Sequence, residues 1–158
     1  MRNVSLIFSL WQRLADWPGG KWLFSKLLCW KAPYFGSISP RFKALRPGYC
    51  EITMRKRRAV LNHIGTVHAI AMCNVAELAA GTMTDVSIPV THRWIPRSMH
   101  VEYLKKAETD LRAVAEWAPI PVFEDTHDQP VTVNVLDAHD KVVFRATITM
   151  KISPKKGE

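Results

Sequence analysis

The sequence predicts an α+β domain, and three patterns carry that reading. The opening segment shows short amphipathic helical periodicity, the stretch from Val67 to Gly81 reads as one apolar helix, and alternation of period two flanks that helix on both sides. At 158 residues the chain is the size of one ordinary domain, large enough to bury most of its apolar surface without disulfides or metal.

Taken in order, residues 3–16 and 21–30 read as two helices, with Leu6, Leu10 and Leu14, then Leu23, Leu27 and Trp30, at helical spacing. Pro18-Gly19-Gly20 breaks them. Two readings stand for these helices: they pack on the domain, or Trp11, Trp17, Trp22 and Trp30 with Lys21, Lys26 and Lys31 make peripheral contact with a membrane through residues 3–30. The start VSLIFSLW is apolar over a short span and lacks an A-x-A site before Trp17, so no secretory signal is expected. No stretch reaches the roughly 20 apolar residues that span a bilayer.

From Pro47-Gly48 the pattern turns to strands. Cys50, Ile52 and Met54 alternate through Tyr49–Lys56, so the run RKRR at 55–58 reads as a strand end. A Gly-containing loop, 61–67, leads into the apolar helix 67–81, which Gly81 is placed to end as a C-cap. Thr82 to Ser98 reads as a long polar connection carrying THRWIPR. The segment VEYLKKAETDLRAVAEW, 101–117, fits a helix by pattern alone, through Leu104, Ala107, Leu111 and Val114. Val131, Val133 and Val135, a turn at Asp137–Asp140, and Phe144 to Ile152 in alternation predict an antiparallel hairpin with one buried face. The expected organisation is a helical extension over 1–46, a domain over 47–152 and a frayed tail over 153–158.

Charge is uneven. Residues 1–60 hold twelve Lys/Arg against Asp16 and Glu51, a net of +10, which leaves −2 for the rest of a chain whose total is +8. A basic face attracts phosphates or anionic lipid, but no helix-turn-helix or RNA-stacking signature accompanies it, and no nucleic-acid partner is expected. The three cysteines, Cys29, Cys50 and Cys73, are widely spaced, and the six histidines fall in no ligand pattern, so neither a disulfide framework nor a metal site is expected. A reducing, cytoplasmic setting fits, with membrane association through the first helices as the variant.

The stretch NHIGTVHAIAMCNVAE, 62–77, gathers two histidines, two asparagines and a glutamate around the start of the apolar helix. A desolvated carboxylate is costly unless paired or neutralised, so these groups either face water or do chemistry. The stretch resembles the hotdog-fold thioesterases, especially the branch containing the phenylacetate-pathway acyl-CoA thioesterases. There an Asn precedes a Gly-containing loop, a His opens the central helix and an acid follows nine positions later. Asn62, Gly65, His68 and Glu77 keep both spacings, while Ala69-Ile70 stands where the family has Gly-Gly. THRWIPR with VEYLKKAETDL is similar to an uncharacterised bacterial branch known only as a domain of unknown function. The resemblance spans about residues 47–152. It implies a hotdog fold, an antiparallel sheet wrapped around the central helix, and it turns 101–117 from helix into strand, turn at Glu108–Asp110, and strand.

The resemblance also implies hydrolysis of an acyl-CoA or related thioester, with no cofactor beyond the coenzyme A of the substrate. Such chemistry needs a donor aimed at the developing oxyanion and a carboxylate that activates water or attacks directly. The Ala69 N–H at the helix start is the expected oxyanion donor, with the Asn62 amide as a second contact. Glu77 is the expected base or nucleophile, buried on the helix, and His68 orients the loop or donates to the substrate carbonyl. Asn74 is placed to support Glu77 or to meet a neighbouring subunit. Gly65 belongs to the binding loop, and Arg93, Arg97, Lys105 and Lys106 are candidates for the coenzyme phosphates or plain solvated charges. Ala69 and Glu77 are too far apart on one helix to share a carbonyl, so a homodimer or dimer of dimers with sites shared between protomers is expected. Two alternatives stay open: a hotdog protein that binds acyl thioesters or a partner without turnover, and a hydratase acting on acyl thioesters.

Overall fold

Alternating strands build a six-stranded antiparallel sheet, and one long helix touches every strand of it. The computed structural model describes residues 5–155. In chain order the elements are α1 (Leu6–Leu14), α2 (Gly20–Lys31), a 3₁₀ segment (Pro33–Ile38), β1 (Arg41–Arg46), β2 (Tyr49–Met54), α3 (Ala69–Ser87), β3 (His92–Tyr103), β4 (Leu111–Glu116), β5 (His127–Leu136) and β6 (Val142–Pro154). The strand order is β1-β2-β4-β5-β6-β3, wrapped around α3 in a hotdog fold.

The wrap follows from side-chain size and period. On the sheet, Ile52 faces Ala113, Ala113 faces Val135 and Val133 faces Ala146, all buried. The helix answers with Val75, Ala76, Ala79, Ala80 and Met83, also buried, and the three alanines let the helix lie close to the curved sheet. Segment 101–117 is not a helix: β3 ends at Tyr103 and β4 begins at Leu111, the two strands that the resemblance implies. They are joined by a connection over 104–110, not a tight turn, and they pair with β6 and with β2 and β5, not with each other. Leu111, Ala113 and Ala115 are buried while Glu116 is exposed, a period of two that the helical spacing of Leu104 and Ala107 masked.

Three expectations about α3 and its surroundings are corrected. The helix does not stop at Gly81 but runs to Ser87. Gly81 is a packing residue: a Cβ there would lie 2.6 Å from Cη2 of the Trp94 indole. The polar residues after it do not form a long connection, because Thr82, Thr84 and Ser87 return their hydroxyls to the carbonyls of Leu78, Ala80 and Met83 and stay helical. From His92 on, THRWIPR is itself part of an edge strand, β3. Pro96 and a bulge between Pro96 and Ser98 are tolerated there, since the outer edge needs no N–H from them.

The N-terminal helices pack on this core. Trp11, Phe24 and Phe42 form an edge-to-face chain with centroids 5.1 Å and 5.0 Å apart, tying α1 and α2 to β1. Buried Ser25 accepts the Phe42 N–H at 3.0 Å and donates to the Lys21 carbonyl at 2.7 Å. The expected helix start at residues 3 and 4 lies outside the described residues. β1 falls inside the segment read as a helical extension, yet it is part of the sheet. Ser153 and Pro154 remain in β6, and residues 156–158 of the expected tail lie outside the described residues.

Candidate active site

The site is assembled by a closed loop that delivers the chain into α3. Leu61 and Val67 bridge, the Asn62 N–H reaches the Thr66 carbonyl at 2.9 Å, and the Gly65 N–H reaches the Asn62 carbonyl at 3.1 Å. Gly65 sits at φ +79°, a left-handed conformation that glycine adopts without a Cβ clash. The Asn62 side chain fastens the loop from inside. Its Oδ1 accepts the N–H groups of Ile64 and Thr66, both at 3.1 Å, and its Nδ2 donates to Thr66 Oγ1 at 2.8 Å. Two further bonds, Val67 N–H to Ala107 carbonyl and His68 N–H to Val60 carbonyl, both 2.8 Å, fix the approach to the helix.

His68 is the N-cap. Its φ of −64° and ψ of 139° are extended, and Nδ1 accepts the Ile70 N–H at 3.0 Å. A backbone N–H can only donate, so Nδ1 is the unprotonated nitrogen and the neutral ring carries its hydrogen on Nε2. The cap consumes one of the helix's unpaired donors and leaves others. The N–H groups of Ala69 and Ala71 make no hydrogen bond among the described residues, at the positive end of a helix of 19 residues.

Beside these donors lies a pocket of about 180 Å³, bounded by Tyr34, Ser37, His68, Ile70, Ala71 and Asn74 among others. Asn74 is 6% exposed, and its Nδ2 donates to Ser37 Oγ at 3.2 Å, while its Oδ1 has no partner among the described residues. Asn74 thus turns to the 3₁₀ segment and not to Glu77. Sequence reasoning missed Tyr34 and Ser37, since nothing local in PYFGSI signals a contact with α3 nearly 40 positions on.

Glu77 is half-buried, not enclosed, and its carboxylate makes no ion pair or hydrogen bond among the described residues. It shares one helix face with Ile70 and Cys73. Burial pushes the Cys73 thiol up, partly offset by the neighbouring Tyr103 hydroxyl. That face borders β3, whose outer side has no strand neighbour among the described residues and shows Ile95 and Tyr103 exposed.

The structure divides the four cationic candidates. β3 runs back along α3, with Trp94 against Gly81 and Asp85 at one end and Tyr103 near Cys73 at the other. Lys105 and Lys106 therefore adjoin Ala107, whose carbonyl holds the residue before His68. Arg93 and Arg97 belong to the opposite half of the strand. Arg97 is paired with Asp128 at 2.7 Å, and Arg93 Nε donates to Ser153 Oγ at 3.3 Å.

Residues 20–152 match the model of a family described as a domain of unknown function, DUF4442. A crystal structure known as genomics APC5556 is 54% identical, with a TM-score of 0.84 over 94% of this chain and 98% of that one. PA5026 of Pseudomonas aeruginosa, described as a protein of unknown function and probable thioesterase, is 22% identical, with a TM-score of 0.75 over 82% of this chain and 92% of its own. HI1161 of Haemophilus influenzae, described as a thioesterase, is 13% identical, with a TM-score of 0.70 over 81% and 87%. No curated protein matches the sequence. At those last two identities the likeness speaks for the fold. The chain belongs to the DUF4442 family, an uncharacterised branch of the hotdog-fold proteins.

Proposed function

We propose that this protein hydrolyses acyl thioesters, coenzyme A esters being the leading class, at sites shared by two protomers. The observation that carries the proposal is the Ala69 N–H, without a hydrogen bond among the described residues, at the capped start of α3, where its neighbours His68, Ile70 and Ala71 line a small pocket. In this reading the thioester carbonyl meets Ala69 N–H, which strengthens its hold as negative charge develops on oxygen. Glu77 of the second protomer takes a proton from water as the water oxygen bonds to the acyl carbon. The carbon–sulfur bond then breaks, the proton passes to the leaving thiolate, and a carboxylic acid and a free thiol result. His68 Nε2–H is a further donor to the carbonyl. Asn62 holds the loop: its amide oxygen accepts two backbone N–H groups, and its Nδ2, the group that could donate to a carbonyl, already donates to Thr66 Oγ1. Of the four cationic candidates, Lys105 and Lys106 are the two on the side of the helix start, where they would receive coenzyme phosphates.

Sharing is supported by geometry. Ala69 and Glu77 are eight residues apart, about 12 Å along the axis at 1.5 Å per residue, so one carbonyl does not reach both. The unpaired edge of β3 and the face bearing Ile70, Cys73 and Glu77 offer the surface for a two-fold partner. Binding without turnover is the second reading, and the engagement of the Asn62 amide within its own loop favours it.

The test is thiol release from a panel of acyl-CoA esters of graded length. Turnover is expected to favour short acyl groups, given a pocket of about 180 Å³. Glu77→Gln, which keeps size and removes the base, should fold normally and lose about 10²-fold or more. Binding of the esters with no thiol released by the native protein would leave the second reading in its place.

A further inference from the structure

A second cavity lies at the other end of α3. It holds about 650 Å³ and is walled by Leu10 of α1, Phe24, Leu27 and Leu28 of α2, and Ile88 and Val90 after α3. Asp85, which also lines it, follows His68 by 17 positions, about 26 Å along the helix axis. The two cavities are therefore separate sites.

The cleft is a product of the N-terminal helices. Trp11 and Phe42 grip Phe24 on one side, which fixes α2 so that its other side turns outward. Leu27 and Trp30 stand there, Trp30 82% exposed, and Leu6 of α1 is 89% exposed on the rim. Large exposed apolar groups gathered around one concavity mark a binding surface. The volume falls in the range of ligand pockets, which are mostly apolar with a few placed polar groups.

Those polar groups are Ser5, Lys31, Asp85, His92 and Lys155, and Ser5 is spent on capping α1 through the Phe8 N–H. Lys31 and Lys155 line the cleft, and neither is in an ion pair among the described residues. Asp85 is the acidic residue of the lining, and its Oδ1 already accepts the Trp94 indole N–H at 3.3 Å. The His92 ring is engaged at both nitrogens, with Thr91 Oγ1 at 3.1 Å and the Glu124 carbonyl at 3.4 Å. An apolar cavity with two lysines that have no ion pair among the described residues suits an amphiphile made of a hydrocarbon chain and an anionic head.

We infer that this cleft binds a long-chain fatty acid, the chain among Leu10, Phe24, Leu27 and Leu28 and the carboxylate at Lys31 and Lys155. A second copy of the chain fits less well. A two-fold contact sets a patch against itself, and here that would bring Lys31 and Lys155 of both copies together. The assignment goes beyond the proposed hydrolysis and does not depend on it, since it uses none of the groups at the helix start.

The test uses the full chain and brominated stearate below its micelle concentration. Bromine quenches tryptophan only at close range, so saturable quenching at about one ligand per chain is expected, with most of it lost in Trp30→Phe. Lys31→Glu combined with Lys155→Glu should weaken stearate about tenfold or more, as loss of charge-assisted contacts does, and leave stearyl alcohol unchanged. The same double variant should keep the thiol release of the native protein, which separates this site from the one at His68. Vesicles of phosphatidylcholine alone or with phosphatidylglycerol complete the design. Equal stearate affinity in native and double variant, or no saturable quenching, overturns the proposal. So does binding to anionic vesicles with none to monomeric stearate, which would make a bilayer the partner.

Discussion

The Nδ1 atom of His68 accepts the backbone N–H of Ile70 at 3.0 Å, and that bond divides the donors at the start of α3 into one that is used and others that are free. The Ala69 N–H sits among the free ones, one residue past the cap.

Ala69→Pro isolates that group. Proline is favoured at the first helical position, and it requires an extended residue before it, which His68 already is at ψ 139°. The substitution should leave the melting temperature close to native while removing the N–H. If that group stabilises the oxyanion, thiol release should fall by about 10²–10³-fold, mostly in kcat. An active Ala69→Pro enzyme would assign the oxyanion to another donor.

His68 carries two duties that two substitutions separate. His68→Asn keeps a good N-cap and loses Nε2–H, whereas His68→Ala loses both. Thermal unfolding should show a loss of about 1 kcal/mol for the alanine variant and little for the asparagine variant. Steady-state kinetics should show both variants slowed. Full activity in His68→Asn would reduce the histidine to a cap.

Gly81 and Trp94 supply a stability test. In an open helix, Gly→Ala gains about 1 kcal/mol. Here the added Cβ meets Trp94 Cη2 at 2.6 Å, and the indole is also held by Asp85, so overpacking of about 1–3 kcal/mol should outweigh the gain. Gly81→Ala is expected to lower the denaturation midpoint in the native background and to raise it when combined with Trp94→Leu. A stabilised single variant would show that the indole moves freely.

This same pair shows where sequence pattern fails. Period-two strands and the apolar run of α3 are legible because each residue reports its own burial, and the hairpin turn is legible from its Asp-rich tip. The end of α3 was not, because a glycine read locally is a stop signal, while its reason for being there is an indole 13 positions later in the edge strand. Segment 101–117 shows the same limit, since Leu104 and Ala107 mimic a helix and only resemblance to known proteins set it right. At the site, Asn62, Gly65, His68 and Glu77 were marked by resemblance to a known family's spacing, and the loop and cap that the first three form follow from their own chemistry. Spacing did not show that Asn62 is spent on its own loop, that Glu77 is half-exposed, or that Asn74 faces Ser37. Those depend on contacts from the N-terminal segment and from the uncovered edge of the sheet.

Whether one site draws on two protomers is decided by complementation. Ala69→Pro lacks the oxyanion donor and Glu77→Gln lacks the base, so each homodimer should be inactive. In a mixed dimer one site collects both defects, while the other pairs native Ala69 from one chain with native Glu77 from its partner. Under exchange, with about half the dimers mixed and each holding one intact site of two, roughly a quarter of native thiol release should return. Mass spectrometry of differently tagged chains establishes that exchange has occurred. With exchange established, recovery near that level supports a shared site, and no recovery above the separate variants contradicts it.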